Sequence, residues 1–395
     1  MKILLLNYCH VGQGTYFRCY NFGRKLGEKG FDVELICNSP KPTDLKIRSF
    51  QASPNFRVTT LPSLIRHGSA IGYLLRTVIG SILILSKNFD VLHSFGWALP
   101  STSIPTICCR LFRNKKIVLD WDDAWGDAYG PMFSKPVHRV IRFLEEKTPQ
   151  WVKPDHFTVV SDYFVDRLKG MGFANGHVDR LENGSNPEAI HPVPTSEARK
   201  TLSIPEDERI VLTMGHNYFK SLNTLYQIFQ KVLDREPDIR LYLVGDVLHV
   251  GRMGEYTKTI LEQFRQMRDR VVFCGDIPFD RLKYYLCSAD VLVLPMDNST
   301  IDIARAPIRL GDYLASGKPI VSNAVGYVKS ILQRNDCSLV SGDPDNMDEF
   351  AENVIRVLND PELGKEMGAR SRSLAENELS WSALADRLTS IYQTL

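Results

Sequence analysis

The sequence predicts an α/β protein made of two doubly wound, Rossmann-like domains that face each other across a cleft. Three observations carry this. Short apolar runs such as KILLLNY, FDVELICN and DVLVLP have the pattern of parallel strands buried on both faces. They alternate with amphipathic stretches of helical length, which reads as consecutive βαβ units. The alternation is interrupted once, by the Pro-, Ser- and Glu-rich stretch LENGSNPEAIHPVPTSEARKTLSIPEDE, and then restarts. At 395 residues, with 44% hydrophobic and 24% charged, the chain has room for two cores. The expected domains are residues 1–190 and 191–380, with a final helix over 381–395 packing back on the first domain.

KILLLNY opens the first domain as a buried strand. HVGQGTYFRCYNFGRKLGEKG follows as a glycine-rich turn and a helix ending at Gly30, and FDVELICN is the second strand. Gly12-x-Gly14 lets the backbone approach a ligand at the carboxyl end of the first strand. As a dinucleotide fingerprint it fails. Phe17 stands where the third glycine belongs, and the second strand ends at Asn38 rather than at an acid that could hold a ribose. Residues 63–86 read as a long helix whose apolar face, Ile71, Leu74, Leu75, Val78, Ile82 and Leu85, is expected in the core rather than on a membrane. FDVLHSF, KIVLDWDD and DHFTVVSDYF are further strands, the last leading into a helix at DRLKGMG.

In the second domain RIVLTMG is a strand. LNTLYQIFQKVLDREP is a helix with Leu225, Ile228, Phe229 and Val232 on one face. IRLYLVG and RVVFCG are strands, FDRLKYYLCSA a helix and DVLVLP a strand. Helices are expected at 346–358 and 361–376, and a last one from Trp381. Between them lies the most informative stretch, Ile301 to Gly326. Pro307 suits the first turn of a helix, where its missing N–H costs nothing. Ile308, Leu310, Tyr313 and Leu314 cover one face. Gly317 fits a left-handed C-cap, Pro319 follows, and PIVSNAV is a buried strand. N–H groups and the helix dipole around Ala304 and Ala306 would make an anion site, with Arg305 and Arg309 adding charge. Asp312, one turn in, could accept two hydrogen bonds from a ribose diol. The plain alternative is a surface helix with an ordinary cap.

Composition excludes several classes. Residues 1–190 hold 24 Lys and Arg against 17 Asp and Glu; residues 191–395 hold 24 against 29. The basic front half points to an anionic partner such as a membrane surface and is too mild for nucleic acid. The eight cysteines show no metal-ligand spacing, and reduced thiols in the cytoplasm are expected. MKILLLNYCH has no cleavage site of a signal peptide. AIGYLLRTVIGSILIL is interrupted by Arg76 and short of the ~20 residues a spanning helix needs.

LENGSNPEAIHP, DVLVLP followed by PIRLGDYLASGKPIV, and DPELGKEMGARSRSLAENELSWSALADRLTSIY occur in this order and resemble the retaining GT-B glycosyltransferases, in particular the family 4 group. The resemblance implies a GT-B fold and transfer of a sugar from a nucleoside-diphosphate sugar, UDP expected over GDP, to a glycan, lipid-linked or small-molecule acceptor. It implies no cofactor and no metal. It places Asp312 on the acid that holds the donor ribose, Lys220 on the lysine that neutralises the diphosphate, and Arg309 near a second cation. Gly12 and Gly14 fall on the glycine loop facing the phosphates and acceptor, with Thr15 next to it. Three positions depart from the family pattern. Ala304 replaces a glutamate, leaving Asp302 as the nearest carboxylate. His216 replaces an arginine. Asp122, in LDWDD, stands where a histidine is usual, and His93 keeps an earlier family histidine. Asp122, Asp123, Lys220 and Arg309 are the expected catalytic set. The donor contacts are expected from Gly12, Gly14, His216, Lys220, Asp302, Arg305, Ala306, Arg309 and Asp312. Gly14, Thr15, His93 and Asp122 are expected on the acceptor side. Site of action is expected to be cytoplasmic, on the inner face of the membrane if the basic half touches lipid. A metal-dependent transferase using Asp120-x-Asp122 would have one nucleotide-binding domain, and the second βα block argues against it. A GT-B-fold epimerase and an inactive sugar-nucleotide-binding subunit are the competing readings.

Overall fold

The computed structural model describes residues 1–41, 43–63, 70–127, 133–173, 175–215, 219–245, 255–267 and 269–395. The chain divides into two compact units, one of residues 1–183 with 381–395 and one of residues 184–380.

Unit 1 opens with β1 (Lys2–His10), α1 (Tyr16–Glu28) and β2 (Asp32–Asn38). A hairpin follows, β3 (Arg48–Ser53) and β4 (Phe56–Leu61), and this pair is antiparallel. The sequence reading contains neither strand, because β3 is an exposed edge and carries no apolar run. Then come α2 (Ala70–Ser86), β5 (Val91–Phe95), α3 (Pro100–Phe112), β6 (Lys116–Trp121), α4 (Lys135–Val152), β7 (His156–Val159), α5 (Asp162–Gly170) and β8 (Val178–Arg180). The strand order is β3-β4-β2-β1-β5-β6-β7-β8. Residues Ile3–Leu6 are all buried, without alternation, because β1 is central and pairs in parallel with both β2 and β5. The chain winds one way from β1 to β2 and the other way from β4 to β5, β6 and β7. Right-handed crossovers then put α1 on one face and α2, α3 and α4 on the other. The direction reverses between β1 and β5, and ligands of such sheets bind beyond the strand ends at that point.

One expectation fails here. The apolar face of α2 is not in the core: Ile71, Leu74, Val78 and Ile82 are exposed, and Leu75 and Leu85 are partly so. The buried side of α2 is made by Gly72, Arg76, Thr77, Gly80 and Ile84. Small residues there let the helix lie close to α3, and the large side chains are left outside.

Unit 2 contains α6 (Thr195–Leu202), β9 (Arg209–Met214), α7 (Phe219–Arg235), β10 (Ile239–Val244), α8 (Glu255–Gln266), β11 (Val271–Gly275), α9 (Phe279–Ser288) and β12 (Val291–Leu294). It continues with α10 (Thr300–Ala304), α11 (Ile308–Ser316), β13 (Ile320–Asn323), α12 (Gly326–Arg334), β14 (Ser338–Ser341), α13 (Met347–Asn359) and α14 (Pro361–Asn377). All its sheet pairs are parallel, in the order β11-β10-β9-β12-β13-β14, and the winding reverses between β9 and β12. Its core gathers Leu225, Ile228, Phe229 and Val232 of α7, Leu241 and Leu243 of β10, and Phe350 and Val354 of α13.

The last helix, α15 (Trp381–Thr394), belongs to unit 1. Trp381, Leu384, Leu388 and Tyr392 join the core that holds Phe22 and Leu26 of α1. The Trp381 ring stands edge-on to Phe22 at 5.1 Å.

Candidate functional site

In unit 1 the expected residues gather where β1 and β6 end. The chain leaves β1 through a tight turn in which Gly12 and Gly14 have φ of 81° and 51°, a region that favours glycine. Thr15 then takes the N-cap position of α1 without capping it, and its hydroxyl donates instead to Asp122 Oδ2 at 2.5 Å. That leaves Thr15 Oγ1 to accept from Tyr8 at 3.0 Å, while Tyr8 accepts from Trp125 Nε1 at 3.1 Å. The other Asp122 oxygen, Oδ1, is buried and has no partner among the described residues. Burial pushes the Asp122 carboxyl well above the usual carboxylate range, and the charges of Asp123 and Asp120 push it further. Asp123 lies beside it, partly exposed.

Asp120 has a different task. It is fully buried, and its two oxygens take Arg18 Nε at 3.0 Å and Nη2 at 2.7 Å. Arg18 also donates to the carbonyls of Leu181 and Glu182 at 2.7 Å each, so β6 and the end of unit 1 share one cation. His93, expected on the acceptor side, belongs to this buried network instead. Its Nδ1 lies 2.6 Å from Tyr392 OH and its Nε2 3.1 Å from Thr158 Oγ1. Thr158 donates to Asp120 at 2.6 Å, so its hydroxyl oxygen accepts from His93 Nε2–H and Nδ1 accepts from Tyr392. Burial holds the ring well below the usual histidine range, hence neutral.

Four residues around Asp122 escape the sequence reading. Tyr8 and Trp125 pack edge-on with centroids 5.4 Å apart and complete the hydroxyl chain. Gly96, at φ 67°, leaves room for the Tyr8 ring, with which any Cβ there would collide. Glu145 of α4 is buried, accepts from the Gly126 amide at 3.0 Å and so fixes the turn that follows Asp122 and Asp123. Burial pushes its carboxyl up to about 7.

In unit 2 the expected residues lie at the reversal between β9 and β12. Ser299 caps α10 through the Asp302 amide at 3.4 Å. Asp302 is buried, pairs with Arg305 at 2.5 Å and accepts from the Asp297 amide at 2.7 Å. Ala304 and Ala306 are buried on either side of Arg305. α11 starts after Pro307 and ends at Gly317, whose φ is 67°. In its first turn Arg309 donates through Nη1 to the carbonyls of Met214, at 2.7 Å, and Gly215. Tyr313 OH accepts from the Met214 amide at 2.7 Å, so α11 grips the end of β9 twice. Asp312 is half-buried and has no hydrogen-bond or charge partner among the described residues. Burial alone pushes its carboxyl up to about 7. Lys220 is in the first turn of α7 by its backbone; its side chain, like the whole of His216, lies outside the described residues.

The structure thus brings Gly12, Gly14, Thr15, Asp122 and Asp123 together in unit 1. It brings Asp302, Arg305, Ala306, Arg309 and Asp312 together in unit 2. It removes His93 from the surface.

Comparison with known proteins agrees with this architecture. The glycosyltransferase family 4 model matches residues 12–189, and the model for glycosyl transferases group 1 matches residues 194–374. The N-acetyl-alpha-D-glucosaminyl L-malate synthase of Bacillus anthracis is 23% identical over 100% of this chain and 96% of its own length. A GDP-mannose-dependent monoacylated alpha-(1-6)-phosphatidylinositol monomannoside mannosyltransferase of Corynebacterium glutamicum is 24% identical over 61% of this chain; the match spans 62% of that protein, less than two thirds. Among solved structures, sucrose-phosphate synthase from Thermosynechococcus elongatus superposes with a TM-score of 0.82 at 20% identity, covering 100% of this chain and 98% of that one. HepE of Anabaena, in complex with UDP and glucose, superposes with a TM-score of 0.73 at 15% identity, with 100% of both chains covered. The fold is GT-B. The chain belongs to the family 4, group 1 glycosyltransferases.

Proposed function

We propose that this chain transfers a sugar from a nucleoside-diphosphate sugar to a hydroxyl of a glycan, lipid-linked or small-molecule acceptor, with retention at the anomeric carbon and without a metal ion. The observation that carries the reading is Asp312. It is a carboxylate with no partner among the described residues, at the carboxyl edge of the unit 2 sheet and one turn from a cation that sits on the end of β9. That is the acceptor a ribose diol needs, beside the charge a diphosphate needs.

In the proposed step the bond from the anomeric carbon to the diphosphate oxygen breaks, with its electron pair leaving on the diphosphate. A bond from that carbon to the acceptor oxygen forms on the same face. The acceptor's proton passes to the departing diphosphate, so no protein nucleophile is needed. The protein's contribution is fixed positive charge where negative charge grows, from Lys220, Arg309, Arg305 and the first turn of α11, together with positioning of the two reactants. In unit 1, Asp122 Oδ1 offers a hydrogen-bond site to a sugar or acceptor hydroxyl, and Gly12 and Gly14 let backbone come close. A uracil base is preferred to guanine, in line with the UDP held by HepE, which matches over its full length. Eight unpaired thiols support a reducing compartment, and so a cytoplasmic site of action.

The test is incubation of the protein with labelled UDP- and GDP-sugars, a lipid extract and a metal chelator. Label transferred to acceptor with release of nucleoside diphosphate is expected. Transfer that stops on chelation would refute the metal-free step. Isomerised donor without transfer would mean an epimerase, and tight donor binding without turnover an inactive binding subunit.

A further inference from the structure

α2 carries the largest misfit between sequence and surroundings in the molecule. Ile71, Leu74, Val78 and Ile82 are 64%, 65%, 48% and 58% exposed. Their spacing of three, four and four residues makes one continuous stripe, about 16 Å long at 1.5 Å per residue. α2 packs along α3, as the close approach of Gly80 to Pro105 shows, and α3 packs on α4. These neighbours also expose large apolar side chains. Leu111 and Phe112, at the end of α3, are 68% and 70% exposed. On α4, Phe143 and Trp151 are exposed with ring centroids 5.5 Å apart. Isolated exposed apolar side chains need no explanation, but a layer of three helices that turns its large side chains outward does.

The charge on this layer is mostly positive, and its one surface acid among the described residues of the three helices, Glu146 of α4, is paired with Arg142. α2 and α3 contain no Asp or Glu. Arg113 and Lys115 follow α3, and Arg113 donates to the Leu85 and Lys87 carbonyls, which holds its charge at the end of α2. Lys135 and Arg139 are exposed on α4. Among the described residues none of these four cations pairs with a carboxylate.

We propose that the α2–α3–α4 face of unit 1 docks on the surface of an anionic lipid bilayer, with the apolar stripe in the headgroup–acyl boundary and the four cations against lipid phosphates. Charge decides between occupants. A second copy, related by a two-fold axis, would set cations against cations: α2 and α3 offer no acid, and the surface acid of α4, Glu146, is already paired with Arg142. An anionic headgroup layer answers both the stripe and the cations. The helix lies on the membrane rather than through it: among the described residues no helix is long and apolar enough to cross one. The proposal does not depend on the transferase reading, because it is read by partition and needs no turnover.

The experiment is flotation of the purified full chain with vesicles of phosphatidylcholine alone and of equal parts phosphatidylcholine and phosphatidylglycerol. Binding to the mixed vesicles only is expected, with release in 1 M salt, where the screening length falls to ~3 Å. Leu74→Gln/Ile82→Gln should lower partition roughly tenfold or more, and Lys135→Gln/Arg139→Gln by a similar factor. Both pairs are surface positions, so circular dichroism and melting temperature should match the parent. Equal binding to both vesicle types, no binding to either, or unchanged binding in both variants would overturn the proposal. So would a wild-type dimer in sedimentation that Leu74→Gln/Ile82→Gln converts to monomer, which would identify the face as a self-contact.

Discussion

Asp312 stands one turn into α11 with no partner among the described residues and a carboxyl that burial has pushed up to about 7. Ribose hydroxyls donate hydrogen bonds, so they favour its ionised form. Nucleoside diphosphate affinity should therefore rise with pH up to about 7 and then level off, with proton release on binding near pH 7. Asp312→Asn should flatten that profile and weaken binding about tenfold or more at pH 8, since a charge-assisted bond contributes roughly 1.5–3 kcal/mol; titration calorimetry at pH 6 and 8 reads both. Stability runs the opposite way. A carboxyl whose folded pKa is raised above its ordinary 3.8 contributes fully below that value, and the contribution is lost as pH rises through about 7. The Asn variant should gain melting temperature over the parent at pH 8 and much less at pH 4. Asp122 makes a separate prediction. Its Oδ2 is held by Thr15 and its buried Oδ1 has no partner among the described residues. Asp122→Asn should lose most turnover and bind nucleoside diphosphate normally. Asp122→His should recover part of the activity if the task is hydrogen bonding, and none if the charge is required. Full turnover in the Asn variant would reduce Asp122 to a cap on Thr15. Asp122 and Asp312 were legible because their local spacing, a strand end and a helix start, says what they face. His93 was not, because its partners Thr158 and Tyr392 are 65 and 299 residues away. Nor does anything in the sequence separate Glu145, which fixes a turn, from Glu146, which sits on the surface beside Arg142.

Most elements were readable because parallel strands buried on both faces leave uninterrupted apolar runs. α13 and α14 fall within a residue of their expected bounds. The failures have one physical origin: pattern reports amphipathicity but not which side is wet. β3 is an edge strand with nothing to bury, so it leaves no pattern. α2 is strongly patterned, yet its close-packed side carries Gly72, Arg76, Thr77 and Gly80 beside Ile84, a side that a reading by hydrophobicity assigns to solvent. α15 behaves as its pattern implies, and it gives the element-scale prediction. Trp381 is 3% exposed and packs edge-on against Phe22 at the helix start. Trp381→Ala should cost about 3–5 kcal/mol in urea unfolding of unit 1. Its effect on the melting of unit 2 should be small, because the residue has no place in that core. A loss under about 1 kcal/mol would mean that the helix is held by its carboxyl half, where Tyr392 meets His93.

At the scale of the whole molecule, the two units relate by connectivity. Unit 2 is one uninterrupted segment, whereas unit 1 is made of two pieces. The ends of unit 2 meet each other: the Ser185 amide donates to the Leu379 carbonyl at 2.7 Å, Ser185 Oγ donates to the Ala375 carbonyl at 2.7 Å, and Ser185 pairs with Ser380 in a short bridge. In its interior Gly311 of α11 lies against the Gly184–Ser185 backbone, so the first residues of the segment brace the helix that carries Asp312. A segment with adjoining ends, its own sheet and its own core has what an independent folding unit needs. Residues 184–380 expressed alone should unfold in one cooperative transition and should retain nucleoside diphosphate binding within a few-fold of the full chain, read by thermal shift with UDP and GDP. Residues 1–183 alone should not match this. Without α15 they expose Phe22, Leu26 and the His93 side of the Asp120 network, and they leave His93 Nδ1 without the Tyr392 hydroxyl. Adding residues 381–395 back through a short glycine-serine linker after Asn183 should restore solubility and a sharp melt. If 184–380 folds and does not bind, the nucleotide contacts require unit 1. If 1–183 folds as well without α15 as with it, the last helix is an ornament on a core that is already closed, and the measured cost of Trp381→Ala should be small in the same preparation.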